Sequence, residues 1–245
     1  MRVVVFQHLP CEHPGIFRDF LRRDEAEITT VELDAGDQIP FLDDADALLI
    51  FGGPMNVDEE DRYPWLAAET SVIRAAALGG MPILGVCLGG QLLAKALGAR
   101  VTKNPEPEVG LLDVELTDAG TTDPLFTGWP RRSAVVQWHS DTFAIPDGGV
   151  RLATSPACGN QAFRYGRCAY GLQFHPEVTA DMVKDWADVP EYAEAMRRIQ
   201  AGEGASPFAG VTASATQLAE RAERLYRNFR SLWHDRIHRR RSSVV

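Results

Sequence analysis

An α/β fold is the class this sequence predicts, with an open, mostly parallel sheet flanked by helices. Two observations carry the prediction. Short apolar runs at residues 3–6, 28–33, 47–51 and 83–86 alternate with stretches of helical spacing, the rhythm of parallel strands covered on both sides by helices. The last of these runs then breaks at a glycine-flanked corner, Gly85-Val86-Cys87-Leu88-Gly89-Gly90-Gln91, before helical spacing resumes.

Taken in order, Met1-Arg2-Val3-Val4-Val5-Phe6 is too short an apolar stretch for a signal peptide and reads as a first strand. Phe17, Phe20 and Leu21 then mark one helical face, and 28–33 is the second strand. The third, Ala47-Leu48-Leu49-Ile50-Phe51, opens into the turn Gly52-Gly53-Pro54. Leu66, Val72, Ile73, Ala76 and Ala77 mark the next helix. The fourth strand is entered through Pro82, and Leu92, Leu93, Ala96 and Leu97 mark the helix after it, with Gly98 as its stop. The second half is richer in strands, at 111–116, 134–138, 161–165 and 168–174, with Tyr165-Gly166-Arg167-Cys168 as a hairpin turn. Residues 181–233 turn helical again, broken by a glycine- and proline-bearing loop at 201–207. Leu218, Ala222, Leu225, Phe229 and Leu232 form an amphipathic stripe expected to pack back onto the domain. The chain thus divides into a domain over 1–185, containing a smaller antiparallel element, and a C-terminal helical extension over 186–245. Arg239-Arg240-Arg241 reads as a solvated, disordered tail.

Composition narrows the function classes. With 245 residues, 45% of them hydrophobic, the chain can bury one sizeable core. A net charge of −9 argues against broad nucleic-acid binding. No apolar run approaches the ~20 residues that span a bilayer. Four cysteines (Cys11, Cys87, Cys158, Cys168) lack the spacing of a disulfide framework, and a reducing, cytoplasmic setting suits both that count and a reactive thiol.

Two segments carry chemistry. Cys87 falls between a strand end and a helix start, where unpaired N–H groups and the helix dipole favour a thiolate, as at a nucleophile elbow. In Phe174-His175-Pro176-Glu177, extended geometry places His175 and Glu177 on one side of the chain. Pro176 pushes His175 out of the helical region and marks a strand end. A carboxylate there can fix the histidine tautomer and stabilise an imidazolium. His8, Cys11 and His13 have a spacing compatible with metal binding but no convincing fourth ligand; lining a substrate entrance suits them better, and no metal or other cofactor is expected.

Cys87-Leu88-Gly89-Gly90-Gln91 and His175-Pro176-Glu177 together resemble the signature of class I glutamine amidotransferases. The strand opening into Gly52-Gly53-Pro54 resembles that family's oxyanion strand. Trp138-His139-Ser140-Asp141 resembles the segment that holds the amino-acid end of glutamine. The resemblance covers roughly residues 1–180 and implies a flavodoxin-like domain. It implies a Cys87–His175–Glu177 triad, with Leu88 and Gly53 as oxyanion donors (Gly52 less so) and Gln91, His139, Ser140 and Asp141 as substrate contacts. The implied substrate is L-glutamine or a γ-glutamyl compound. The implied product is ammonia; since no Gly-x-x-x-x-Gly-Lys-Ser/Thr loop or second large α/β unit is found, either a separate ammonia-accepting synthetase subunit takes it or the enzyme acts alone. Gly52-Gly53-Pro54-Met55-Asn56 and His8…Glu12…Pro14-Gly15 look most like stand-alone members related to the glutaminase domain of GMP synthase. Cleavage of γ-glutamyl peptides is the alternative activity, and a non-catalytic binding or regulatory module on the same fold is the second.

Overall fold

The computed structural model describes residues 1–190, 192, 193, 196 and 206–242. Among them the apolar runs form nine strands: β1 (Arg2–Gln7), β2 (Glu27–Glu32), β3 (Ala47–Ile50), β4 (Ile83–Val86), β5 (Val101–Leu116), β6 (Arg132–Phe143), β7 (Gly149–Thr154), β8 (Ala162–Tyr165) and β9 (Ala169–Leu172). The helices are α1 (Phe17–Arg23), α2 (Trp65–Leu78), α3 (Leu88–Ala96), α4 (Asp118–Thr121), α5 (Ala180–Ala187), α6 (Ala209–Ala213) and α7 (Ala215–Ser242).

All nine strands belong to one sheet in the order β2-β1-β3-β4-β9-β8-β7-β5-β6. The expectation of a mostly parallel sheet needs correction. The pairings from β2 to β9 are parallel. Those from β9 to β6 are antiparallel and include the longest ladder, β5 with β6. The antiparallel half is therefore no small accessory but a continuation of the same sheet. The physical reason is the length of the connections. Parallel neighbours need a long crossover, whereas β8 and β9 are joined by a three-residue turn that permits only a hairpin.

Alternation along the central strands explains why both faces are covered. Val3 and Val5 point into a cluster with Phe17, Leu21, Leu225 and Phe229, while Val4 and Phe6 point into another with Leu66, Ile73 and Leu92. In the C-terminal stripe, Ala222, Leu225 and Phe229 are buried in the first of these clusters, and Leu232 packs against it. A third cluster joins Val136 and Trp138 of β6 to Met182 and Trp186 of α5, together with Tyr192 and Phe208. The backbone of Arg239-Arg240-Arg241 continues α7 rather than forming a disordered tail. Of the loop expected at 201–207, residues 201–205 lie outside the described residues.

Candidate active site

Four parallel strands deliver their carboxyl ends to one edge, where open α/β sheets build their sites. His8 follows β1, Gly52 and Gly53 follow β3, Cys87 follows β4, and Gln173 and His175 follow β9. The His175 segment is tied sideways to β6: its N–H donates to the Val136 carbonyl at 2.9 Å. The sheet thereby gathers residues that lie far apart in the chain.

Cys87 occupies the corner with φ +52° and ψ −110°. A non-glycine residue with positive φ is uncommon, and such strain persists only where surrounding structure enforces it. Here its N–H donates to the Leu172 carbonyl at 2.8 Å, while its own carbonyl accepts from Gln91 N–H at 3.0 Å. The corner also needs glycine at 89, because a Cβ there would overlap the Ile50 carbonyl. The Cys87 thiol is buried, 3.8 Å from both the Trp138 carbonyl oxygen and the Gln173 side-chain nitrogen.

His175 Nδ1–H donates to Glu177 Oε1 at 2.8 Å, with both side chains buried. That bond assigns the tautomer and leaves Nε2 as the ring atom available to Cys87, whose proximity also acts on the His175 pKa. Burial works to lower the His175 pKa. The Glu177 carboxylate, Cys87 and the hydrogen bond to Glu177 override it and hold the imidazole well above its ordinary value. The expected Cys87, His175 and Glu177 are therefore brought together, and the imidazole can hold a thiol proton at neutral pH.

The remaining expected residues are less uniform. Gly53 sits against the start of α3: a Cβ there would lie 2.8 Å from Leu88 Cδ2. Neither the Gly53 nor the Leu88 N–H has an acceptor among the described residues. Gln91 is buried and its amide is already engaged, donating to the Asp141 carbonyl and to Gln173 Oε1 at 3.3 Å each. His139 is also occupied on both ring nitrogens, by the Asp141 carbonyl at 2.8 Å and Glu108 Oε2 at 3.1 Å. Ser140 is half-buried. Asp141 accepts from Asn56 Nδ2 at 2.7 Å and pairs with Lys103 at 2.8 Å.

His8, Cys11 and His13 go to different partners. His8 bonds to Gly52 and Glu69, the Cys11 carbonyl accepts from Trp186 Nε1–H at 3.0 Å, and His13 Nδ1 accepts from Gly15 N–H, with the Arg18 guanidinium 3.1 Å from its Nε2. Burial, with Glu12 nearby, pushes the Cys11 thiol up to about 11, so it is no ready ligand. Elsewhere Glu108, His139 and Cys158 present donor atoms within 4.8 Å of one another. Glu108, however, already accepts from Ser155, Gln161 and His139 at 2.6–3.1 Å, which makes this a closed hydrogen-bond network.

Sequence reasoning names Glu12 only within a resemblance and assigns this buried carboxylate no place in the site. Its Oε1 accepts from the Tyr192 hydroxyl, and its Oε2 has no hydrogen-bond partner among the described residues. A Cβ on Gly52 would overlap Glu12 Oε2 and lie 3.1 Å from His175 Cε1, so the carboxylate and the imidazole edge face the same glycine. Burial raises the Glu12 pKa to about 6, against the opposing pull of His175. Trp186 closes the other side, its ring 4.7 Å from that of His175. No short motif signals these contacts, because Glu12 and Tyr192 are 180 positions apart.

Comparison with known proteins bears on the whole arrangement. The family model described as glutamine amidotransferase class-I matches residues 16–184. The glutamine amidotransferase-like protein YfeJ of Salmonella typhimurium is 34% identical over 188 residues, covering 75% of this chain and 79% of the relative. A glutamine-hydrolyzing GMP synthase subunit of Thermococcus kodakarensis is 36% identical over 116 residues, 44% of this chain and 60% of the relative. The match to the GMP synthase of Aeropyrum pernix spans only 27% of that protein. Among solved structures, a glutamine amidotransferase from Thermotoga maritima superposes with a TM-score of 0.75 at 33% identity, covering 95% of this chain and 96% of that one. Another, from Methylobacillus flagellatus, gives 0.83 at 30% identity, with 94% of each chain covered. Among the described residues, no helix is long and apolar enough to cross a membrane. The chain belongs to the class I glutamine amidotransferase family.

Proposed function

We propose that this chain hydrolyses the side-chain amide of glutamine through a Cys87–His175–Glu177 triad and a glutamyl thioester, releasing ammonia for a separate acceptor enzyme. The observation that carries this reading is the buried His175–Glu177 hydrogen bond beside Cys87, a buried cysteine of positive φ whose charge helps raise the His175 pKa. The Cys87 sulfur attacks the amide carbon, its proton resting on His175, and the carbonyl electron pair moves onto oxygen. The two N–H groups without acceptors, on Gly53 and Leu88, meet that charge. Collapse of the tetrahedral species expels ammonia with the proton from His175. The imidazole then takes a proton from water, whose oxygen attacks the thioester and releases glutamate and the thiol. Glu177 holds the imidazole in the tautomer both steps need.

Gln91 and the Trp138-His139-Ser140-Asp141 segment form the wall for the amino-acid end of the substrate. With both ring nitrogens of His139 engaged, that role falls to Ser140 and the backbone of the segment. Residues 186–245 act as an extension of the domain over 1–185, with Ala222, Leu225, Tyr226, Phe229 and Trp233 of α7 buried in its core cluster. A synthetase partner is suggested by relatives named as separate subunits of GMP synthase.

A second reading, hydrolysis of γ-glutamyl peptides or conjugates, is favoured by a cavity of about 580 Å³ bordering the Gly53 turn. Pro54, Met55, Tyr63, Trp65 and Asp185 are among its walls, room for a leaving group larger than ammonia. The intact triad speaks against a purely binding role. Steady-state rates on glutamine and on a panel of γ-glutamyl dipeptides test the choice. A higher kcat/KM on glutamine supports the amidotransferase reading; a preference for the dipeptides transfers it to the second.

A further inference from the structure

His8 and Glu69 form a fully buried pair that takes no part in the triad, yet it touches the turn beside it. His8 Nδ1–H donates to the Gly52 carbonyl oxygen at 3.0 Å, and Nε2–H donates to both Glu69 oxygens at 3.1 Å. A carbonyl and a carboxylate can only accept, so the ring carries both protons and Glu69 the balancing charge. Burial works to lower the His8 pKa, but Glu69 and the two hydrogen bonds hold it above its ordinary value. Buried ion pairs are poor sources of net stability, so the consequence of this one lies in what it holds.

It holds a peptide plane. The peptide between Gly52 and Gly53 is trans, so its C=O and N–H point in opposite directions. Anchoring the carbonyl on His8 turns the Gly53 N–H away from His8, where it has no acceptor among the described residues. Two glycines in succession would otherwise rotate this peptide at little cost. Side chains crowd it on both sides: a Cβ on Gly52 would overlap Glu12 Oε2, and one on Gly53 would lie 2.8 Å from Leu88 Cδ2. The turn is thus free to flip by composition and held in one orientation by a buried cation.

We propose that His8, held by Glu69, is a positioning residue that locks the Gly52–Gly53 peptide with its N–H directed at the oxyanion of the tetrahedral intermediate. The proposal rests on the amide-hydrolase reading above. It predicts a split between steps that develop an oxyanion and steps that do not. The test compares His8→Leu with His8→Asn, whose side-chain N–H can take the Nδ1 position; each is combined with Glu69→Gln so that no bare carboxylate is buried. Three measurements are made on the full chain: ammonia release from glutamine, inhibition by glutamate γ-semialdehyde, and alkylation of Cys87 by iodoacetamide. The semialdehyde gives a tetrahedral adduct, whereas alkylation needs no oxyanion.

The Leu variant is expected to lose about a hundredfold in kcat, the scale of one oxyanion donor, with a parallel loss of semialdehyde affinity and alkylation within about twofold of wild type. The Asn variant is expected to recover most of both losses. Equal losses in the two variants, or an alkylation rate falling in step with kcat, would overturn the proposal. Wild-type protein that binds the semialdehyde but releases no ammonia from any γ-glutamyl amide would instead bring down the hydrolase reading, and the proposal with it.

Discussion

Replacing Glu177 by Gln keeps an oxygen that accepts from His175 Nδ1–H and removes only the charge. The two groups are 2.8 Å apart and both are buried. At an effective dielectric of 20, unit charges at that spacing attract by about 6 kcal/mol, an upper bound on what the imidazolium loses. The lower bound is the margin of a charge-assisted over a neutral hydrogen bond, about 1–2 kcal/mol. At 1.36 kcal/mol per decade, a mid-range loss of about 3–5 kcal/mol lowers kcat by roughly 10²–10⁴-fold. KM should change little, because in the proposed mechanism Glu177 acts only through His175. The same substitution lets burial, which works against the charged imidazole, pull the His175 pKa back down. The pH profile of Cys87 alkylation by iodoacetamide should then differ from that of the wild type, because the imidazole that takes the thiol proton loses its own proton at lower pH. Ammonia release coupled to a dehydrogenase reads the first effect, and alkylation rates between pH 5 and 9 read the second. A Glu177→Gln enzyme within threefold of wild-type kcat, with an unaltered alkylation profile, would refute the reasoning.

Two further predictions concern stability. Glu12 has its pKa raised from 4.5 to about 6 by burial, so its ionisation opposes folding. That contribution is fully favourable below pH 4.5 and is lost as pH rises through 6, a change of about 2 kcal/mol at 1.36 kcal/mol per unit. Chemical denaturation of Glu12→Gln between pH 4.5 and 7 should lack this component, and a pH dependence identical to wild type would contradict the assignment. Gly89→Ala puts a Cβ on the Ile50 carbonyl; a loss of about 1–3 kcal/mol is expected from overpacking, read as a lower midpoint in urea. An unchanged midpoint would mean that the turn is looser than its geometry implies.

What is legible in the sequence follows from the range of the interactions. The parallel half can be read because its strands are local apolar runs, most of them followed by a helix of local periodicity, and Cys87 stands out because glycines crowd it. The antiparallel half reads less well. Strand β5 runs Val101–Leu116, but Pro105, Pro107 and Gly110 interrupt its pattern, so only its last third reads as strand. Strand β7, Gly149–Thr154, escapes notice because it begins in a run of small residues after Pro146. Sheet order depends on connection lengths and packing, which no window of residues contains. The proposed triad is accessible because His175 and Glu177 are neighbours two positions apart. His8 with Glu69 and Glu12 with Tyr192 are not, since each pair is assembled only by the finished fold, across 61 and 180 positions.

The central claim is that Cys87 is the nucleophile of an amide hydrolase, and one comparison meets it directly. Purified wild-type chain and Cys87→Ala are given glutamine, ammonia is measured, and the wild-type reaction is quenched in acid and examined by mass spectrometry. The account predicts ammonia release by the wild type alone, with a glutamyl group in thioester linkage to the peptide that carries Cys87. Undiminished release by Cys87→Ala, or a glutamyl group carried on any other residue, would contradict it.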